Sequence, residues 1–225
     1  TVYNYRMLFW NDHISRLKRS LNSLDIKFKM NFQSLLIKCE ELIKKNYLRE
    51  GIIYIHISRG VAKRNHNWSN DICPSLIISC SHKKTFDINA KKISLITNKD
   101  IRWDNCHIKT VSLLANVLLK QKALKMKAFE CLMLDNQGYI TEATTSNIWI
   151  LKHNTLITTP LSSNILPGVT RKKLIELANI LNVKVSEHKF KESDVYKADR
   201  VFITNSSAII LEANKLNGKP LNVNN

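Results

Sequence analysis

The stretch 138–151, GYITEATTSNIWIL, sets a carboxylate, Glu142, among small residues and hydroxyls, ahead of Asn147 and an apolar run. Polar groups at the mouth of a buried strand cost free energy unless something satisfies them. Four other stretches carry residue types suited to binding or chemistry. In ILPGVTRKK (165–173), Gly168 precedes a helix whose first turn holds Val169 and Thr170. The free N–H groups of a helix start make an anion site with phosphate as the usual guest, although most such starts are helix starts and nothing more. In FITNSSA (202–208), a strand ends in Asn205, Ser206 and Ser207, hydroxyls that suit a phosphate or carboxylate and equally suit an ST-turn. In IKT (108–110), Lys109 stands between an apolar residue and an apolar helix. A partly buried lysine there has a lowered pKa and a nucleophilic amine; one that snorkels to solvent has neither. In RNH (64–66), Arg64 and His66 are two apart, on one side of an extended segment, where they clamp a carboxylate or merely decorate a loop.

These residues need a scaffold, and hydrophobic periodicity predicts one. NDHISRLKRSLNSLDI, capped at Asn11 or Asp12, places Ile14, Leu17, Leu21 and Leu24 at helical spacing. NFQSLLIKCEELIKKNYL repeats that period. GIIYIHISRG alternates like a strand and stops at Gly60, and PSLIISC is a second strand. The polar stretch 81–92 is a linker. Beyond it lie the strands KISLIT, FECLMLD, YITEA, NIWILK and RVFITNS, with VKVSEHKF between the last two helices. The helices there are SLLANVLLKQKALKM, GVTRKKLIELANILN and ESDVYKA, and a hairpin turn falls near DNQG. Two α/β-type domains are expected, 1–83 and a strand-rich 84–225.

Composition bounds the rest. The 225 residues, 44% of them hydrophobic, suffice for one large or two small cored domains. No apolar run nears the ~18 residues of a membrane span, and TVYNYRMLFWNDHISRLKRS lacks a secretory core. Five cysteines, an odd number with no C-x-x-C pair, argue against a disulfide framework or a zinc ribbon and for reduced thiols in a cytoplasmic protein. No metal is expected. The net charge of +17 invites nucleic acid, but the lysines are scattered and no aromatic RNA-binding motif or arginine-rich arm occurs, so no nucleic-acid partner is expected.

Taken together, the five features call for a ligand with a phosphate, an aromatic ring nitrogen and an aldehyde, which describes pyridoxal phosphate. In order along the chain, VYNYRMLFWNDHISRL, YIHISRG, RNH, DIRWDNCHIKT, TEATTSN, ILPGVTR, FITNSSA and NGKPL resemble the class IV (fold-type IV) pyridoxal-phosphate aminotransferases. The Arg64-x-His66 pair favours the D-amino-acid branch. The resemblance covers essentially the whole chain. It implies an α/β (α+β) fold of two domains: a small N-terminal α/β domain and a larger β-rich pseudo-barrel that binds the cofactor.

It also implies roles. Lys109 matches the lysine that holds the cofactor covalently and moves the substrate's Cα proton. Glu142 matches the acid facing the ring nitrogen, while Ala143, Thr144, Thr145 and Ser146 leave room for ring and substrate. Arg16 matches the phosphate-binding arginine, Val169 and Thr170 the backbone part of the phosphate cup, and Ser206 its hydroxyl. Leu166 packs on the ring. Arg64, His66 and Ser207 are assigned to the substrate, Arg64 and His66 from the partner subunit of a homodimer. Asn147 ties the loop down. The substrates implied are an amino acid of the D-alanine or D-glutamate type and a 2-oxo acid such as 2-oxoglutarate. Measured against the family, the chain is expected to lack the first strands of the small domain, with a tyrosine of the carboxylate trap, and the terminal helix. Ile209 stands near a place where the family often has an acid. The alternatives are a branched-chain aminotransferase or an aminodeoxychorismate lyase on the same scaffold, or a truncated inactive remnant.

Overall fold

The computed structural model describes residues 1–84 and 91–222. They belong to two compact units, Thr1–Phe86 and Asp87–Asn225. In the first unit, β1 (Val2–Tyr3) and β2 (Arg6–Met7) are followed by α1 (Trp10–Ser23), α2 (Phe32–Lys45), β3 (Glu50–Ser58) and β4 (Ser75–His82). The sheet runs β2-β1-β3-β4, antiparallel throughout. The two sequence periods meet in its core: Ile14, Leu35 and Cys39 from the helices pack on Ile53 and Ile55 of β3 and Leu76 and Ile78 of β4.

Two expectations are corrected here. α1 starts at Trp10, after Phe9 in a left-handed conformation (φ 54°) with no side-chain cap, rather than at a cap on Asn11 or Asp12. Asp12 lies in the first turn instead, where its charge suits the helix dipole. The polar residues Ser81 and His82, expected in a linker, complete β4 by pairing with Ile52 and Gly51. Residues 85–90 of that linker lie outside the described residues.

The second unit contains β5 (Ile93–Lys99), α3 (Leu114–Lys125), β6 (Glu130–Leu134), β7 (Ile140–Ala143), β8 (Asn147–Lys152) and β9 (Thr155–Thr158). Then follow α4 (Val169–Ile180), β10 (Lys184–Glu187), α5 (Glu192–Tyr196), β11 (Arg200–Asn205), β12 (Ile209–Leu216) and β13 (Lys219–Pro220). The strands form one sheet in the order β10-β9-β8-β11-β12-β5-β6-β7, with β13 beside β12. The two ends of that order meet. Tyr139 bridges Lys191, and Ile140 N–H donates to Phe190 O at 2.9 Å, which joins the start of β7 to the segment after β10. The sheet therefore curls round on itself, as expected of the larger domain. Leu95, Leu132, Ile140, Ile148, Ile150, Ile203 and Leu216 fill its core, each worth about 1.5–3 kcal/mol of burial.

Local chemistry sets the hairpin and helix that matter most for the site. The turn between β6 and β7 falls at the predicted DNQG: Asp135 Oδ1 accepts from Gln137 N and Tyr139 N, both at 2.9 Å, and Gly138 takes φ 79°. α4 is anchored by Arg171, which is buried. It donates to Thr159 O at 3.1 Å and pairs with Glu187 Oε2 at 2.5 Å, holding the helix start against the ends of β9 and β10.

Candidate active site

Glu142 is 5% exposed on β7, a strand whose four residues are all buried. Its oxygens are fully engaged. Arg102 Nη1 donates to Oε1 at 2.5 Å, Asn147 Nδ2 to Oε2 at 3.0 Å, and Leu166 N–H reaches both at 3.2 and 3.3 Å. Burial pushes the carboxyl up to about 7, against the pull of Arg102 and the Leu166 N–H. This acid therefore sits close to its own titration at neutral pH.

Arg102 is held in turn by Asp100. Nε and Nη2 donate to its two carboxylate oxygens at 2.9 and 2.7 Å, the bidentate arrangement that favours arginine over lysine. Nη2 also donates to Asn164 O at 3.0 Å, and Thr141 Oγ1 donates to Asp100 Oδ2 at 2.8 Å. Burial alone would lower the Arg102 pKa and raise that of Asp100; their mutual bonds reverse both, helped by the charge of Glu142 for Arg102 and by the Thr141 hydroxyl for Asp100. Neither Arg102 nor Asp100 was singled out from the sequence. The available signal was an acid and an arginine two apart in DIRWD, hence on one side of an extended segment.

Asn147 performs the tie expected of it. Its Nδ2 also donates to Leu166 O at 3.0 Å, so one amide fastens the 164–168 loop to Glu142. Gly168 caps α4 in an extended conformation, and a Cβ there would lie 2.0 Å from Asn147 Oδ1. The glycine is thus a close-approach position. Val169 and Thr170 begin α4 as expected, both buried, and the Thr170 hydroxyl has no hydrogen-bond partner; nor has that of Thr144. Orphaned buried hydroxyls are rare, and each can donate to an anion or ring substituent. Together with the open N–H groups of a helix start, the Thr170 hydroxyl fits a phosphate. The carboxylate network fits a ring nitrogen.

Ser206 and Ser207 are half-buried in the turn between β11 and β12. Ile209, which closes that turn, takes φ 61°, a strained conformation for a β-branched residue. Lys109 takes the solvent-facing position that is one of its two readings from sequence. It is exposed, because the segment from 100 to 113 runs as an irregular surface loop before α3 begins. The remaining sequence-assigned residues belong to the first unit. Arg16 is buried on α1, near His13 Nδ1 at 3.3 Å, and burial with the charge of Arg19 brings its guanidinium down to about 10. Arg64 and His66 are exposed in the loop between β3 and β4. All five cysteines are free, and no helix among the described residues is long and apolar enough to cross a membrane.

Residues 1–216 match the family described as amino-transferase class IV. The chain is 31% identical to a D-alanine aminotransferase of Bacillus licheniformis, over 98% of this chain and 78% of the relative. A Legionella pneumophila structure provisionally assigned as a 4-amino-4-deoxychorismate lyase superposes with a TM-score of 0.91 at 26% identity, covering 100% of this chain and 83% of that one. The branched-chain amino acid aminotransferase of Escherichia coli gives 0.83 at 26% identity, covering 93% and 70%.

Proposed function

The chain belongs to the class IV aminotransferases, and from that premise we propose that it moves an amino group between a D-amino acid and a 2-oxo acid. The observation that carries the proposal is the buried Glu142, clamped by Arg102, Asn147 and the Leu166 N–H beside the start of α4. The D-amino-acid branch is supported by the Arg64-x-His66 pair and by the D-alanine aminotransferase relative.

Class IV aminotransferases use pyridoxal phosphate, which supplies an aldehyde to carry the amino group and an electron-withdrawing ring. Here Glu142 would hold a proton at the ring nitrogen, and Leu166 would pack on the ring. Val169, Thr170 and Ser206 are proposed to bind the phosphate. Lys109 would hold the cofactor's aldehyde covalently, and its freed amine would act as the base that removes the substrate's Cα proton and delivers it to the cofactor side. Arg64, His66 and Ser207 are the proposed substrate-binding residues, with Arg64 and His66 contributed by a second copy. In support of a homodimer, α3 exposes Leu114, Val117 and Leu118 by 73, 52 and 54%, an apolar surface that a second copy would cover.

The visible spectrum of the purified chain with pyridoxal phosphate tests this, taken before and after D-alanine. A yellow band that fades on adding D-alanine is expected, as is turnover of D-alanine with 2-oxoglutarate. Turnover with L-leucine alone would overturn the D-amino-acid reading and favour the branched-chain one.

A further inference from the structure

Glu130 opens β6 with no exposed surface at all. Burying a carboxylate is costly, and the surroundings answer with donors. Thr145 N–H donates to Oε2 at 3.1 Å, Ser146 Oγ to Oε1 at 3.0 Å, and the Thr145 hydroxyl also donates to Oε1. Lys120 Nζ lies 3.9 Å away. The bonds continue past this cluster. Asn205 Nδ2 donates to Ser146 Oγ at 3.0 Å, and Asn205 Oδ1 accepts from Ser207 N at 2.9 Å and Ala208 N at 2.8 Å.

Proton counting fixes the direction of this chain. An ionised carboxylate accepts and cannot donate, and a serine hydroxyl has one hydrogen. Ser146 therefore spends its hydrogen on Glu130 and offers a lone pair to the other side. Only the NH2 end of Asn205 can meet that lone pair, so its oxygen must face the turn. There it gathers two backbone N–H groups of a turn that is under strain at Ile209 (φ 61°).

We propose that Glu130, Ser146 and Asn205 form a positioning relay that holds the Ser206–Ser207 turn in the shape needed to receive the cofactor phosphate. This rests on the pyridoxal-phosphate reading above. The relay residues touch no reacting atom; they act through the turn.

The test compares the affinity of the full chain for pyridoxal phosphate and for pyridoxal, which lacks the phosphate, in wild type, Ser146→Ala and the isosteric Asn205→Asp. The carboxylate introduced by Asn205→Asp keeps an acceptor for the turn but has no N–H for Ser146. Thermal midpoints are read alongside, and the isosteric variant carries the test if Ser146→Ala does not fold. Each variant is expected to bind pyridoxal phosphate about tenfold more weakly, with pyridoxal binding unchanged and the 31P signal of the bound phosphate moved. An equal loss for both ligands, or no loss for either, would overturn the relay. A wild-type chain that binds neither ligand would instead remove the cofactor reading itself.

Discussion

At the residue scale, the site depends on how a buried acid is kept close to its titration point. The Glu142 carboxyl lies at about 7 against an ordinary 4.5. Between those values the folded chain binds more protons than the unfolded one, so its stability falls as pH rises. The slope is ~1.4 kcal/mol per pH unit, and the loss is complete above the upper value. Glu142→Gln has no such titration. Chemical denaturation of both cofactor-free proteins from pH 4 to 8 is expected to show their difference growing across that window and flat outside it. Removing Arg102 takes away the main attraction opposing burial, so Arg102→Met is expected to push the carboxyl higher. Its transamination rate should then fall at neutral pH and recover in part in alkaline buffer; an unmoved pH profile would argue that Arg102 is only a structural tie. Lys109→Ala is expected to lower turnover by at least ~10^3, in keeping with the loss of a general base that is also the covalent anchor, while leaving the fold intact by circular dichroism.

At the scale of elements, the candidate site is a junction between β7, the start of β8 and the start of α4, and Gly168 comes close to Asn147 at the head of β8. Gly168→Ala would drive a Cβ into Asn147 Oδ1. The expected result is a loss of about 1–3 kcal/mol in stability, together with weaker cofactor binding, since Asn147 also holds Glu142. The same junction shows what could be read in advance. Helical spacing in the segments that became α1, α2 and α4 was legible, and so were the DNQG turn and the buried strand that carries Glu142, because each is written in neighbouring residues. β12 was not: in IILEANKL the apolar residues neither alternate nor run on, and its place comes from pairing β11 on one side and β5 on the other. The Arg102–Glu142 bond was not legible either, since 40 positions separate its ends. Phe9 is a third kind of miss, a left-handed residue before a helix where a polar cap is the usual sign.

At the scale of the whole molecule, the proposed homodimer makes a prediction about mixtures. If Arg64 and His66 serve the partner's site, Lys109→Ala and Arg64→Ala chains are each inactive alone. Co-refolded, they should give about one quarter of wild-type activity, because half the dimers are mixed and one of their two sites is whole. No recovery on mixing would place the pair in the same chain as the lysine it serves. Leu118→Glu, on the exposed face of α3, is expected to shift the sedimentation coefficient toward the monomer without changing the circular dichroism. The contact that closes the curled sheet has a consequence in time. Ile140 of β7 takes a backbone bond from the segment at Phe190, fifty residues later in the chain. Pairings of such long range form late and slowly. During synthesis, the strand bearing Glu142 has one side unpaired until that segment has left the ribosome. The nascent chain therefore passes through an interval in which an apolar strand edge is exposed to its neighbours. Slower elongation between those two points lengthens that interval.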